Sequence, residues 1–271
     1  MFHHFTLSLF GYDVLFHTNT LMIEIFAVIS VLIFTLSFRR ERLMIRAFLL
    51  AVVVSVAAFM GARIFHLLVE KPIANFSWDR LLEFDGMTFY GSFILASLVA
   101  TIGTYLFFPR SADRKILDLS ALFFAFGYGF LRIGCFANGC CWGRLSSVPW
   151  AVRYAAGSEM PYIGLPVHPV QLYDAAVGFL VGFLLLSLYR RSQDQHPSYR
   201  GALMPIFMVL SSVGRFITEF FRGDSYRGTD VVFSLSTSQT VSVPLFFLGV
   251  LWLFFYFRRS SPTPSRPSVT V

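Results

Sequence analysis

Charged residues recur at helical spacing inside stretches of this chain that are otherwise apolar. Arg215, Glu219 and Arg222 stand at i, i+4 and i+7 in "GRFITEFFRGD", and His168, Gln171 and Asp174 follow at steps of three in "HPVQLYDA". Both spacings put the side chains on one face of a helix. Arg132 stands in a third stretch, "FLRIGCFANGCCWGRL", Phe130 to Leu145, which passes from the end of an apolar helix into a polar, glycine-rich run. That run holds Asn138, Gly139, Gly143, Arg144 and the cysteines Cys135, Cys140 and Cys141. A guanidinium stays charged when partly buried and pairs bidentately with phosphate, so fixed arginines in an apolar setting suit a lipid phosphate.

The elements that must carry these residues are membrane helices. The chain has 271 residues, of which 56% are hydrophobic and 14% charged. Soluble domains carry about a quarter charged residues. A mean hydropathy of +0.65 over the whole length therefore indicates a polytopic membrane protein. Seven stretches near 20–38, 47–69, 89–108, 116–138, 168–189, 201–221 and 239–257 have the length needed to cross a bilayer as helices. The fold expected is all-α, a single membrane domain over 1–260, with a periplasmic loop region at 139–167 and a disordered tail at 261–271. The N-terminus lacks the basic region and cleavage site of a signal peptide, so the first span should be retained.

A net charge of +7 raises the question of nucleic acid, but the basic residues fall in short links. These are "RRERLMIR" (39–46), "RSADRK" (110–115), "RR" (190–191) with Arg200, and "RR" (258–259) with Arg266. All four lie on alternate connections, hence on one side of the membrane, and the positive-inside rule makes that side the cytoplasm. The N-terminus is then periplasmic and the C-terminus cytoplasmic, with no nucleic-acid partner.

With this orientation the intramembrane charges share a depth. Glu24, His168 and Asp174 come early in the first and fifth spans, and Arg63, Arg132, Arg215 and Glu219 late in the second, fourth and sixth. All fall in the outer half, whereas Asp118 belongs to the cytoplasmic end. Ionisable groups in spans cost about 2.5–3.5 kcal/mol each on insertion scales. Separate snorkelling of each charge explains arginines alone, but not acids interleaved with them, so a shared outer cavity is expected. The cysteine spacing C-x4-CC is not that of a zinc site, and no metal or other cofactor is expected. A disulfide from Cys135 to Cys140 or Cys141, or simple packing, stays open. An anion carrier or channel with an arginine-lined vestibule is a second reading of the same residues, though no internal repeat supports it.

Six motifs in order resemble the prolipoprotein diacylglyceryl transferase family. "RIGCFANGCCWGR" followed by "VPWAVRY" is similar to its signature, and "MGARIF" (60–65), "GMTFYGSFI" (86–94), "HPVQLYDA" (168–175), "GRFITEFFRGD" (214–224) and "LSTSQTVSVP" (235–244) are similar to its other motifs. The resemblance implies transfer of the diacylglyceryl group of phosphatidylglycerol to the lipobox cysteine of prolipoproteins, with release of glycerol phosphate, in the bacterial inner membrane. It implies that Arg132, Arg215, Tyr90, His168 and Glu219 are catalytic. It further implies that Arg63, Asn138, Gly139, Gly143, Arg144, Gln171, Arg222 and Gln239, with the two arginines, bind phosphatidylglycerol. The chain departs from the family pattern at several positions. Cys135 replaces an Asn, Cys140 a frequent Glu, Ser92 a glycine, Asp174 a Glu, and Asn19 a first-span aromatic. A non-catalytic or altered-specificity relative that binds lipid or lipoprotein is therefore a third reading.

Overall fold

The computed structural model describes residues 4–9, 12–70, 89–154, 163–194, 199–223 and 235–260. Among them are seven helices: α1 (Thr18–Ser37), α2 (Met44–Glu70), α3 (Phe89–Phe107), α4 (Asp113–Asn138), α5 (Val170–Asp194), α6 (Leu203–Glu219) and α7 (Thr237–Ser260). Each apolar stretch read from the sequence lies on one of them. Four segments, Met44–Ile64, Arg110–Asn138, Val170–Gln193 and Thr237–Arg258, are long and apolar enough to cross a membrane. Glu24–Ser37 and Ile94–Phe107 are shorter apolar helical segments. The tail at 261–271 lies outside the described residues.

The helical architecture agrees with the all-α expectation, and two small antiparallel sheets accompany the helices. Strands β1 (His4–Leu9) and β2 (Tyr12–His17) pair with His4 opposite His17. The alternation of Phe5, Leu7 and Leu9 with polar residues is strand-like, but six residues are too few to register in a hydropathy reading of spans. Strands β3 (Val152–Arg153) and β4 (Pro166–Val167) pair within the loop region between α4 and α5.

The chain divides into two compact units, Ile25–Asp113 and the remainder. In the first, α2 and α3 meet at Gly61, where an added Cβ would run into the Gly91 carbonyl and come within 2.8 Å of Leu95 Cβ. This contact gives the small residues of "MGARIF" and "FYGSF" a packing reason. Arg63 is buried in this unit, Tyr90 falls in the first turn of α3, and Arg46 Nη1 donates to the Phe107 carbonyl at 3.2 Å.

The second unit is built on α4 to α7. Helices α4 and α5 approach so closely that a Cβ at Gly178 would stand 2.8 Å from the Gly129 nitrogen. Phe130 and Phe179 close the same contact edge to face, ring centroids 5.3 Å apart. At the other end, buried Asp118 of α4 accepts from the Gly201 and Leu203 backbone amides at 2.8 and 3.1 Å. Helix α6 has no side-chain cap of its own at Ala202, so Asp118 supplies the missing acceptor from a neighbouring helix.

Candidate active site

The close α4–α5 crossing brings Arg132, one turn beyond Gly129, to Asp174, one turn before Gly178. Arg132 Nε lies 3.3 Å from Asp174 Oδ2. Arg215 of α6 meets the same oxygen through Nη1 at 3.4 Å. Thr218 donates its hydroxyl to the other carboxylate oxygen at 2.5 Å. Asp174, 1% exposed, is thus a buried hub that fixes two guanidiniums from two helices side by side. A buried carboxylate is retained only with such pairing.

Around the hub the charges continue. Arg215 Nη2 donates to Glu219 Oε2 and, at 2.8 Å, to Ser238 Oγ at the start of α7. Glu219 Oε2 in turn lies 3.9 Å from Arg222 Nε. The Arg132 guanidinium sits over the Tyr128 ring, 4.9 Å from its centroid, a cation–π contact that holds it against α4. Three guanidiniums against two carboxylates leave one net positive charge, opposite to that of a phosphodiester. Each guanidinium has five N–H donors. Hydrogens not taken up by the carboxylates are the donors an anionic ligand would use, and Asp174 keeps the two guanidiniums side by side.

The signature run folds around this cluster. After α4 ends at Asn138, the chain turns through Gly139, at a φ of +74°, and Cys141, at +61°, before Gly143 and Leu145 bridge to Arg222 and Val167. Arg144 N donates to Phe221 O at 2.8 Å, Gly223 N to Trp142 O at 3.1 Å, and His168 N to Arg144 O at 3.0 Å. Residues 142–145 are thereby laced between the segment after α6 and the segment before α5. A side chain at Gly143 would collide with the His168 carbonyl and approach Val170 Cγ2 to 2.7 Å. The space at Gly143 is filled by neighbouring chain. Exposed Arg144 uses its Nε to bind the Arg222 carbonyl at 2.9 Å.

Several expected site residues hold the frame in the same way. Gln171, fully buried, donates to the Cys140 carbonyl at 2.5 Å and to Tyr154 Oη at 3.0 Å. Burial pushes the Tyr154 phenol up to about 12, so it remains neutral. Gln239 forms a reciprocal cap with Ser236: Ser236 N donates to Gln239 Oε1 at 3.1 Å, and Gln239 N to Ser236 Oγ at 3.2 Å. This is a capping box at the start of α7. His168 is half-buried among Tyr173 and Phe221, its Nδ1 3.2 Å from Tyr173 Oη, which also accepts from Trp150 Nε1 at 2.6 Å.

The structure therefore brings Arg132, Arg215, Glu219 and Arg222 into one cluster. His168, Gln171, Gly143 and Arg144 belong to the laced loops beside it, and Asn138 ends the helix that carries Arg132. Arg63 and Tyr90 belong to the other unit, while Glu24 is exposed on α1. Sequence reasoning missed Thr218 and Ser238, polar residues at unremarked positions of their motifs. It placed Asp174 among the outer-half charges of the spans, but gave it no role in holding the arginines.

The fold and cluster define a helical membrane protein with carboxylate-held arginines at one end of its helices. The chain belongs to the prolipoprotein diacylglyceryl transferase family, whose model matches residues 8–255. It is 33% identical over 203 residues to the phosphatidylglycerol–prolipoprotein diacylglyceryl transferase of Campylobacter curvus, covering 74% of this chain and 69% of the relative. The enzyme of that name from Mannheimia succiniciproducens is 32% identical over 212 residues, covering 75% and 73%. That of Proteus mirabilis is 30% identical over 244 residues, covering 79% and 77%. Family membership makes the chain a transferase of lipoprotein maturation and does not favour the carrier or the non-catalytic reading.

Proposed function

We propose that this chain moves the diacylglyceryl group of phosphatidylglycerol onto the lipobox cysteine of prolipoproteins at the outer face of the bacterial inner membrane. The observation that carries the reading is the Asp174 hub, which presents Arg132 and Arg215 together within an apolar helix assembly. The cysteine thiolate attacks the glyceryl carbon that bears the phosphate, a carbon–sulfur bond forms, and the carbon–oxygen bond breaks toward oxygen. Glycerol phosphate leaves carrying the bond's electron pair, and the thiol's proton passes to a base. Charge on the phosphate therefore grows along the reaction, and the paired guanidiniums stabilise it most in the transition state. Arg132 and Arg215 hold the phosphate, Glu219 and Arg222 orient Arg215, and the proton is received by neutral His168 or by Tyr90 as its phenolate. At His168 the bond to Tyr173 engages Nδ1, so Nε2 is the nitrogen that can face substrate.

All seven helices cross the membrane in this reading, with the N-terminus and the 139–167 loops periplasmic and the four basic links cytoplasmic. Its support is that Asp174 and Arg215 lie at the opposite end of their helices from the Asp118 cap. The test is transfer by the purified full-length chain in phosphatidylglycerol vesicles, offered a peptide with a lipobox cysteine. Diacylglyceryl-peptide and glycerol phosphate should appear one for one, and a Cys→Ser peptide should give neither. Absence of thioether product from the cysteine peptide refutes the assignment.

A further inference from the structure

The thiols of Cys135, Cys140 and Cys141 meet in space although their linear spacing suggests no site: the three sulfurs lie within 4.8 Å of one another. Cys135 stands three residues beyond Arg132 on α4. The chain then reverses through Gly139, at φ +74°, and Cys141, at φ +61°. The left-handed region is strained for a residue with a Cβ, so the turn is held there by what surrounds it. That turn folds Cys140 and Cys141 back onto the helix end. Cys135 and Cys141 are buried, and Cys140 is half-buried. The loop is fixed by the Gln171 bond to the Cys140 carbonyl and by the packing of Trp142, Tyr154 and Val167.

We propose that these three cysteines form a trigonal thiolate site for a soft monovalent cation, Cu(I), separate from the transfer chemistry. Three sulfurs about 2.3 Å from a shared ion stand about 4 Å apart, so closure needs movements below an ångström. Among the described residues no carboxylate or imidazole joins the group. Structural zinc takes four ligands, and catalytic zinc keeps an open position for water. Three soft donors and no hard one match Cu(I) instead. Binding releases the three thiol protons and leaves a complex of charge −2. Compensating charge is in place. The Arg132 and Arg222 guanidiniums act on the Cys141 sulfur as neighbouring positive charges. The earlier expectation of no metal rested on spacing along the chain, which does not show this convergence.

The test uses full-length protein purified in detergent under anaerobic, reducing conditions and titrated with Cu(I) against a chromophoric Cu(I) chelator. One equivalent should be retained, with a thiolate-to-copper ultraviolet band, and thermal unfolding should shift upward on loading. Single Cys→Ser variants should each lose at least tenfold in retention, and the triple variant should show no band. Cys135→Asn with Cys140→Glu should also lose the metal while retaining or gaining transfer, which separates this site from the reaction. Equal retention by wild type and the triple Ser variant overturns the proposal. So does a disulfide among the three cysteines in protein alkylated before extraction, or stoichiometric zinc in place of copper.

Discussion

Replacing Asp174 by Asn keeps the side chain's shape and removes the carboxylate that Arg132 and Arg215 share. Thr218 can reverse its hydrogen bond, accepting from the new amide, so no buried polar atom need be orphaned. What is lost is charge. At 3.3 Å and an effective dielectric of about 20, one such pair is worth about 5 kcal/mol before desolvation is counted. The acid is 1% exposed and the two arginines 10% and 15%, so water screens little of this. Desolvation of the carboxylate offsets part of the attraction, and removing one partner of a buried pair costs about 3–5 kcal/mol.

At about 2–4 °C per kcal/mol for a chain of this size, the midpoint of thermal unfolding in detergent should fall by about 10 °C. The local charge rises from one positive to two, so phosphatidylglycerol should stabilise the variant more than the wild type. Turnover should fall without a matching rise in KM, because the arginines keep their charge but lose their alignment. The assays are thermal unfolding with and without phosphatidylglycerol, and steady-state transfer to a lipobox peptide. A variant that unfolds within 2 °C of wild type and keeps its kcat, a margin of about 1 kcal/mol or less, refutes the hub.

Arg132→Ala and Arg215→Ala should each lower transfer at least roughly tenfold while the protein still reaches the membrane, and Lys should rescue only in part, since it cannot pair bidentately; wild-type turnover of either alanine variant in vitro removes that residue from the phosphate clamp. Tyr90→Phe should cost on the order of 10²-fold if its hydroxyl takes part in proton transfer and about twofold or less if it only marks the membrane interface. A silent Tyr90→Phe with a severe His168→Gln, at normal membrane levels, assigns the proton to His168. Asp118→Asn should lower stability by about 1–3 kcal/mol, because one of the two α6 amides then faces a donor; transfer per folded molecule should be unchanged, and a selective loss of kcat contradicts a capping role.

Helix positions were legible from the sequence because a membrane helix writes its length directly in hydropathy, whereas β1 and β2 are too short to do so. The clustering of Arg132, Arg215, Glu219 and Arg222 was legible because charge is costly in a span and i, i+4 spacing fixes a face. The cross-helix partner that Arg132 and Arg215 share was not. Asp174 meets Arg132 through a helix crossing set by Gly129 and Gly178, and nothing along the chain marks two glycines from different helices as a pair.

A glycine or amide in a motif suits a ligand and a neighbouring backbone equally well, because each offers room or a hydrogen bond without a charge. Gly143 makes room for the His168 carbonyl, Gln171 holds the Cys140 carbonyl, and Gln239 caps α7. Arginine is different: a buried guanidinium keeps its charge, so a carboxylate of the chain or a phosphate of the substrate is its strongest partner. Counting carboxylates against arginines therefore separates frame from site. Glu219 and Asp174 leave one guanidinium charge over at the helix ends. The polar run that begins at Arg132 ties α4 to α5 and α6, and that connection sets where the surplus charge sits.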